Sequence, residues 1–300
     1  MSLLTRYLTD PYRAALSKRA TPNGSRLEDV IRSGLRHPDS SVGVYAPDFQ
    51  SYEVFRELFD PILDSFQAPA MAHRDDLACL NPATVISTRI RMARNLAGYA
   101  FPAGMSRSER LSVEEKISHA CRCLAPDFQG TITPVQDMPQ DKYMAAARIH
   151  ADWPAGRSVF NTHEKQMSIW INEEDHLRVA VVMPGANVSA CYQKMRTVMF
   201  RMAAQLDFCV DAQRGYLTSC PSNAGSGMRV SYKVDLRLDN SQEARLEQLE
   251  SAGILQMRGA EGEHSPRTNG IVDVSFRNRF GISETHMLRD MAMLCANPRL

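Results

Sequence analysis

The stretch QMSIWINEEDHLRVAVVM, residues 166–183, decides the fold. It contains two short apolar segments, residues 166–171 and 177–183, which are joined by an acidic turn. Short segments rich in Val and Ile that flank a polar turn are typical of two strands in a hairpin. The two strands of a hairpin are antiparallel, so the stretch predicts an antiparallel sheet in this part of the chain.

Other strands and helices are spaced unevenly on both sides of this hairpin. Further strand-like segments lie at residues 84–90, 216–219, 228–236 and 270–275. Helices are predicted at residues 107–123, 188–205, 241–252 and 283–295. Strands separated unevenly by helices favour an α+β fold with a largely antiparallel sheet over a doubly wound parallel sheet.

The beginning of the chain is predicted to form a separate, mainly helical unit. A helix is expected at residues 26–35, and helical periodicity returns at residues 52–66. The apolar residues expected on one face of the first helix are Leu27, Val30, Ile31 and Leu35. Residues 67–76 lose this periodicity and are interpreted as a linker. We therefore expect a small helical domain, residues 1–75, and a larger α+β domain, residues 76–300.

The composition excludes several classes of protein. The 300 residues include 35 basic and 34 acidic side chains, a net charge of +1, and 44% hydrophobic residues. Such balance argues against a nucleic-acid or anionic-membrane binder, and no apolar run approaches the ~20 residues that span a bilayer. The seven cysteines are scattered, without a CxxC pair or zinc-site spacing, which indicates a reducing compartment and a cytoplasmic location.

Two arginines lie two positions apart in one predicted strand. In the segment STRIR, Arg89 and Arg91 occupy positions i and i+2, so both project from the same face of the sheet. Solvated arginines on an exposed strand are the alternative. The apolar neighbours Val85, Ile86 and Ile90 indicate partial burial, where two like charges need an anionic partner such as a polyphosphate.

The acidic turn of the hairpin is a second candidate site. The segment WINEEDHLRV brings together Glu173, Glu174, Asp175, His176 and Arg178. A solvated hairpin tip is one interpretation, and a metal site is another, although the order of residues lacks the HExxH pattern. Carboxylates held at a strand turn could equally bind a cationic substrate through bidentate hydrogen bonds.

Two loops near the end of the chain complete the set of candidates. In CPSNAGSGMR, Gly225 and Gly227 would let backbone N–H groups approach an anion beside Arg229. Cys220 is the one cysteine placed like a reactive thiol, because its loop is polar and predicted to be exposed. The segment LQMRGAEGEH, residues 255–264, is interpreted as a flexible loop that either closes over a substrate or is a plain surface loop.

Familiar nucleotide-binding motifs are absent from the sequence, including the P-loop, the HRD and DFG motifs and a strand-linked GxGxxG. Five arginines outside helices, several acids and a cysteine nevertheless favour phosphoryl transfer from a nucleotide to a cationic acceptor. The arginines would balance the phosphate charge, and the carboxylates would hold the acceptor.

Four motifs occur in an order that resembles the phosphagen (guanidino) kinases: STRIRMARN, WINEEDHLRV, GYLTSCPSNAGSGMR and LQMRGAEGEHS. The resemblance covers nearly the whole chain and is strongest to the members that use arginine. It implies a small α-helical N-terminal domain and a larger domain with an antiparallel sheet flanked by helices, the glutamine-synthetase-like catalytic fold. Known members begin with a further helix, so we expect a shortened start rather than a transit peptide.

The resemblance also implies the nucleotide site. The arginines that would clamp the ATP phosphates are Arg89, Arg91, Arg178, Arg229 and Arg258. Ser87 and Asp273 would lie near the nucleoside. Mg²⁺ would bridge the phosphates of ATP or ADP mostly through water, so no protein metal ligands are expected.

The acceptor site is implied in the same way. Glu174 and Glu263 would grip the acceptor guanidinium and could act as base, and Cys220 would contact it as a thiolate whose pKa is lowered by Ser222. The loop that would receive the amino-acid end of the substrate contains Ser40, Ser41, Val42, Gly43 and Tyr45.

Three positions depart from the family pattern. Ser41 replaces a glycine, and Asn161 and Lys233 replace histidines near the nucleotide. We expect an active enzyme that reversibly transfers the γ-phosphoryl group of ATP to free L-arginine, as a monomer or homodimer without nucleic-acid or membrane partners. The alternatives are a protein-arginine kinase, a kinase for another guanidino compound and a catalytically silent nucleotide-binding protein.

Overall fold

The computed structural model describes residues 2–67, 77–138, 155–259, 267 and 270–295. The described helices of the N-terminal unit are α1 Leu3–Tyr7, α2 Asp10–Leu16, α3 Leu27–Arg36, α4 Ser51–Val54 and α5 Arg56–Asp64. The helix expected at residues 26–35 is confirmed by α3, and the periodicity at residues 52–66 corresponds to α4 and α5. On α3, Leu27, Val30 and Ile31 are buried, but Leu35 is 59% exposed, so its predicted place on the buried face is wrong.

The larger unit is built around one antiparallel sheet, which confirms the predicted α+β class. Its described strands are β1 Val85–Arg94, β2 Gly130–Pro134, β3 Ser158–Thr162, β4 Met167–Ile171, β5 Leu177–Pro184, β6 Val210–Asp211, β7 Gly215–Tyr216, β8 Met228–Asp235, β9 Leu255–Gly259 and β10 Ile271–Phe276. Eight of them form a sheet in the order β2-β3-β4-β5-β1-β8-β10-β9, and each neighbouring pair is antiparallel. Strands β4 and β5 form the predicted hairpin, with Ile171 opposite Leu177.

Four described helices accompany the sheet: α6 Arg107–Arg122, α7 Val188–Ala203, α8 Glu243–Ser251 and α9 Glu284–Met293. All four were predicted, with ends that differ by a few residues. Apolar residues of the central strands, including Val179, Val181 and Val230, pack with α7 residues such as Met195 and Val198 in one core. Among the described residues, no helix has the length and apolar content needed to cross a membrane.

Some strand predictions are wrong. Residues 255–259, interpreted as part of a flexible loop, form the edge strand β9, in which the buried residues alternate along the chain. The strand predicted at residues 216–219 is reduced to the end of β7, because the backbone of Thr218 and Ser219 bonds to the N-terminal unit instead of to a neighbouring strand.

The N-terminal unit and the larger unit share a hydrophobic core. Around Tyr52, Phe55 and Phe59 of the helical unit pack Leu217 and Cys220 from the segment after β7. Phe101 and Ala224 belong to the same core. The helical unit therefore rests directly on the segment between β7 and β8, which carries the candidate thiol.

Asp48 fixes the start of α4 and the chain that leads to it. Its side chain has no exposed surface, and it accepts hydrogen bonds from the hydroxyls of Thr21 (2.6 Å) and Ser25 (2.8 Å). It also accepts from the backbone N–H (2.8 Å) and the hydroxyl (2.7 Å) of Ser51. One buried carboxylate thereby joins the turn before α3 to the first residue of α4.

Replacing Asp48 with Ala is expected to lower the free energy of unfolding by about 2–4 kcal/mol, because buried donors without partners each cost ~1–3 kcal/mol. Denaturant unfolding of the two proteins measures the difference. Asp64→Ala is the matched control, since Asp64 is exposed at the end of α5. Equal stabilities of the Asp48→Ala variant and the control would contradict the role given to Asp48.

Candidate active site

A cavity of about 920 Å³ lies between the helical unit and one face of the sheet. The helical unit contributes the loop around Ser40 and Tyr45, and the sheet contributes charged side chains from several adjacent strands. Seven arginines of the described residues line it: Arg89, Arg91, Arg178, Arg229, Arg258, Arg277 and Arg279. The five arginines predicted to bind phosphate are therefore brought together, and the structure adds Arg277 and Arg279.

The register of the strands explains this convergence. Arg89 and Arg91 project from β1, as their spacing predicts, and Arg91 lies directly opposite Arg229 on β8. Like charges directly opposite each other in adjacent strands are destabilising unless a counter-charge is present. The cavity is therefore built to receive an anion.

Asp273 on β10 provides a carboxylate among these arginines. It accepts hydrogen bonds from Arg89 Nη2 (2.8 Å) and from Arg229 Nη2 (3.1 Å), while Arg229 also donates to the hydroxyl of Ser275 (2.9 Å). Burial alone would raise the pKa of Asp273, but the neighbouring charges, first that of Arg89, lower it below its usual value. Asp273 thus holds two of the arginines in place, whereas its predicted place near the nucleoside stays a prediction.

The guanidinium groups are electrostatically crowded in spite of Asp273. Burial, with the charges of Arg89 and Arg178, lowers the pKa of Arg91 to about 9. Burial, with the charges of Arg91 and Arg279, also lowers the pKa of Arg229. A polyphosphate in the cavity would relieve this repulsion, because its charge favours the protonated guanidinium.

The acidic turn between β4 and β5 brings carboxylates to the same cavity. Asn172 takes φ 51° at the turn, and its amide donates to the carbonyl of Gly156 (2.7 Å). The carboxylate of Glu173 bonds to Arg178 Nη1 and to the backbone N–H of Glu174, each at 2.9 Å. Glu173 and Glu174 both line the cavity. The turn therefore links Arg178, an arginine predicted to bind phosphate, to the carboxyl predicted to hold the acceptor.

Glu174 and Cys220 both line this cavity, and each side chain shifts the pKa of the other. Burial, with the charges of Asp175 and Glu173, raises the pKa of Glu174. The hydroxyl of Ser222 lies 3.1 Å from the Cys220 thiol, as the sequence suggested. Burial and the charge of Glu174 nevertheless raise the pKa of Cys220, against the predicted depression, although Ser222 itself lowers it.

The predicted exposure of Cys220 is also wrong. Its side chain is 4% exposed, and Cys123 is the exposed cysteine of the seven. A polar loop composition predicts exposure, but the helical unit covers this loop. In the substrate-free protein the thiol is therefore a buried neutral group that faces Glu174.

The other predicted residues are placed as follows. Ser40, Ser41, Val42 and Tyr45 line the cavity. Gly43 and Ser87 are not among the described residues that line it, although the Gly43 N–H donates to the Ser40 hydroxyl (3.1 Å) and so shapes the loop. Glu263 lies outside the described residues.

Sequence reasoning missed Arg277 and Arg279, because these residues lie outside the four motifs and their sequence neighbours carry no recognisable signal. The metal interpretation of the acidic turn is not supported by the contacts of Asp175 and His176. Asp175 accepts from the Asn95 amide (2.7 Å), and His176 Nδ1 accepts from the Leu96 N–H (2.9 Å). Within the described ranges, no group of three His, Cys, Asp or Glu residues is arranged to hold a metal ion.

A cavity that sets arginines against carboxylates and a thiol defines a site for a polyanion and a cation together. Residues 1–64 match the family model described as ATP:guanido phosphotransferase, N-terminal domain, and residues 112–297 match its C-terminal catalytic domain. The chain belongs to this family, the phosphagen kinases, as its four motifs indicated.

Two relatives identified by sequence are named as arginine kinases. The chain is 34% identical to an arginine kinase of Anthopleura japonica, over 97% of this chain and 45% of that protein. It is 33% identical to an arginine kinase of Limulus polyphemus, over 97% of this chain and 89% of that protein.

Solved structures give the same fold. The substrate-free duplicated taurocyamine kinase from Schistosoma mansoni matches with a TM-score of 0.80 and 27% identity, over 98% of this chain and 46% of that chain. A lombricine kinase matches with a TM-score of 0.79 and 29% identity, over 97% of this chain and 89% of that chain. This chain thus spans less than half of the Anthopleura and Schistosoma proteins.

Proposed function

We propose that this protein reversibly transfers the γ-phosphoryl group of ATP to a guanidinium nitrogen of free L-arginine, producing phosphoarginine and ADP. The observation that carries the proposal is the facing pair Arg91 and Arg229 in the same cavity as Glu174 and Cys220. The first pair suits the phosphates of a nucleotide, and the second pair suits a guanidinium. The function also fits the family to which the chain belongs.

The arginines would act on the phosphates in two ways. Arg89, Arg91, Arg178, Arg229 and Arg258 would hold the triphosphate by charge-assisted hydrogen bonds and fix the γ-phosphoryl group in line with the acceptor. They would also stabilise the charge that spreads over the oxygens of the transferred group in the transition state.

Mg²⁺ would be held in this site by the phosphates of the nucleotide. The described cavity offers arginines to the phosphates rather than a cluster of metal ligands. When bound between the phosphates, the ion would neutralise part of their negative charge. We therefore assign no protein ligand to it.

Glu174 would act on the acceptor. A free guanidinium has a pKa above 12, so its attacking nitrogen must be oriented and must lose a proton during transfer. The carboxylate of Glu174 would accept N–H groups of the guanidinium and would take the proton that leaves the attacking nitrogen. Cys220 would contact the same group from the adjacent loop, and Glu263 is proposed as the second carboxylate.

The choice of arginine rests on the loop of the helical unit and on the named relatives. Ser40, Ser41, Val42 and Tyr45 face the cavity and are suited to the amino-acid end of a small substrate. The sequence relatives are arginine kinases, whereas the structural relatives are a taurocyamine kinase and a lombricine kinase. We also propose a cytoplasmic enzyme that acts as a monomer or homodimer, for which the seven unpaired cysteines support a reducing compartment.

The test is a coupled assay of ADP release with ATP and Mg²⁺, with arginine, creatine, taurocyamine, lombricine or an arginine-rich protein as acceptor. We expect the highest kcat/KM with free arginine, and phosphoarginine identified by mass spectrometry. A higher value with another small guanidine would change the substrate. Labelling of the protein acceptor alone would favour a protein-arginine kinase, and no acceptor-dependent ADP would favour a silent nucleotide binder.

At acidic pH, the profile of kcat/KM for arginine is expected to differ from the profile of kcat. A protonated Glu174 cannot hold a cation, and burial raises its pKa in the substrate-free protein, so kcat/KM falls on acidification well above the ~4.3 of an unperturbed Glu. A bound guanidinium lowers that pKa again, so kcat keeps its value to a lower pH. Initial rates between about pH 5 and pH 9, with ATP saturating, measure both limbs. Acid limbs of kcat and of kcat/KM that coincide would contradict the role assigned to Glu174.

A further inference from the structure

Tyr52 reaches from the helical unit into the segment that carries the thiol. It belongs to α4, its side chain is 1% exposed, and its ring packs against Phe59 with a centroid distance of 4.5 Å. Its hydroxyl donates to the backbone carbonyl of Thr218 at 2.8 Å, across 166 positions of sequence. The two partners of this hydrogen bond, Tyr52 and Thr218, belong to different units of the fold.

The segment from Thr218 to Cys220 is fixed at several successive backbone groups. The carbonyl of Ser219 accepts from the Ala46 N–H at 2.7 Å, next to Tyr45 of the substrate loop. The Ser219 N–H donates to Asp175 at 2.6 Å, next to Glu174. The Thr218 hydroxyl donates to the Cys220 carbonyl at 2.7 Å.

These contacts connect the acceptor-binding groups to one another. Ala46 follows the substrate loop, Asp175 follows Glu174, and Thr218 carries the bond to Cys220. The Tyr52 hydroxyl reaches this segment from the helical unit, and residues 218–220 are buried throughout. The position of the thiol relative to Glu174 therefore depends on a hydroxyl of the other unit.

We propose that Tyr52 is a positioning residue for the acceptor site: its hydroxyl, through the carbonyl of Thr218, sets the place of the Cys220 thiol beside Glu174. This role rests on the proposed function, because it concerns the site assigned to the guanidinium. The residue itself is not among the described residues that line the cavity.

The hydroxyl is suited to this role at all pH values of interest. Burial, with the charges of Cys220 and Asp175, raises the pKa of Tyr52 well above its usual value. The group therefore stays protonated and continues to donate. Its loss would leave the Thr218 carbonyl buried without this donor, and the segment would shift to regain a partner, by admitting water or by moving.

Tyr52→Phe removes the hydroxyl and keeps the ring. The matched control is Tyr192→Phe, because the Tyr192 hydroxyl also makes one hydrogen bond, to Glu284 at 2.7 Å, but joins α7 to α9. A second variant, Thr218→Val, removes the bond to the Cys220 carbonyl from the other side of the segment and keeps the shape of the side chain. It replaces Tyr52→Phe if that variant does not fold.

The first readout needs no turnover. Iodoacetamide modification of Cys220, followed by peptide mass mapping between about pH 7 and pH 10, gives its rate and apparent pKa. In Tyr52→Phe we expect the rate at pH 8 to rise ~3–10-fold, because water that reaches the thiol lowers its raised pKa toward the ordinary value. The exposed Cys123 is an internal standard whose rate should not change.

The second readout is steady-state kinetics. We expect Tyr52→Phe to raise the KM for arginine ~3–10-fold and to leave the KM for ATP within ~2-fold, since the arginines keep their places. Unchanged modification of Cys220 in both Tyr52→Phe and Thr218→Val overturns the proposal. An equal rise of the Cys220 modification rate in Tyr192→Phe also overturns it. Equal increases of the KM for arginine and the KM for ATP in Tyr52→Phe do so too, because each result indicates that the whole protein is less rigid. If the wild-type protein does not phosphorylate arginine, the proposed function fails, and the modification rates still decide the role of Tyr52.

Discussion

Replacing Glu174 with Gln is expected to lower the turnover number ~10²–10⁴-fold while the affinity for ATP stays nearly unchanged. The carboxyl group lies beside Cys220, on the side of the cavity proposed for the acceptor. Glutamine keeps the size of the side chain but can neither take the proton of the guanidinium nor offer a negative charge to it. The arginines proposed to bind the nucleotide stay in place in this variant.

The experiment compares kcat and KM for arginine with the Kd for ATP from calorimetry. The matched control is Glu115→Gln on the exposed face of α6, which should keep the wild-type turnover. A loss of ATP affinity as large as the loss of turnover would contradict the assignment of Glu174 to the acceptor. It would indicate that the substitution disturbs the arginines, with Glu173 and Arg178 as the first contact to inspect.

Replacing Arg91 with Gln is expected to lower the turnover number by ~10³-fold or more without lowering the stability of the substrate-free protein. Arg91 faces Arg229 across adjacent strands, and burial with the charges of its neighbours depresses its pKa to about 9. Removing one of two facing like charges relieves repulsion in the empty site. The same change removes a group that would stabilise the transferred phosphoryl group.

Thermal unfolding with and without ATP, together with turnover, measures both effects. Without ATP, we expect the Tm to stay constant or to rise by the ~2–4 °C that corresponds to ~1 kcal/mol in a protein of this kind. With ATP, the increase in Tm should be smaller than in the wild-type protein. Arg196→Gln, on the exposed part of α7, controls for the loss of one charge. A variant that is less stable and equally active would show that Arg91 has a structural role.

The alternation of side chains between the two faces of a single strand could be predicted from the sequence. The spacing of Arg89 and Arg91 placed both on one face of β1, and both line the cavity. The register between strands was not readable, so nothing local indicated that Arg91 would lie opposite Arg229 or that Asp273 would bridge Arg89 and Arg229. These pairings join residues between 44 and 184 positions apart and depend on the complete sheet.

Burial by a distant part of the chain was the main source of error. The polar composition around Cys220 predicted an exposed loop, but Tyr52 and its neighbours cover this segment. The short edge strand β9 was interpreted as a loop, because glycines and charged residues dominate the sequence that follows it. The hairpin and the long helices were predictable because their signals lie within one segment.

The common core of the two units has a consequence for exchanging parts between relatives. Leu217, Cys220 and Ala224 belong to the larger unit by sequence but complete the core of the helical unit. A chimera that took only the helical unit from a taurocyamine or lombricine kinase would set foreign side chains against this segment. The unit that can be transplanted is therefore discontinuous: it consists of residues 2–67, Phe101 and residues 217–224, which together carry the thiol and the loop proposed to bind the substrate.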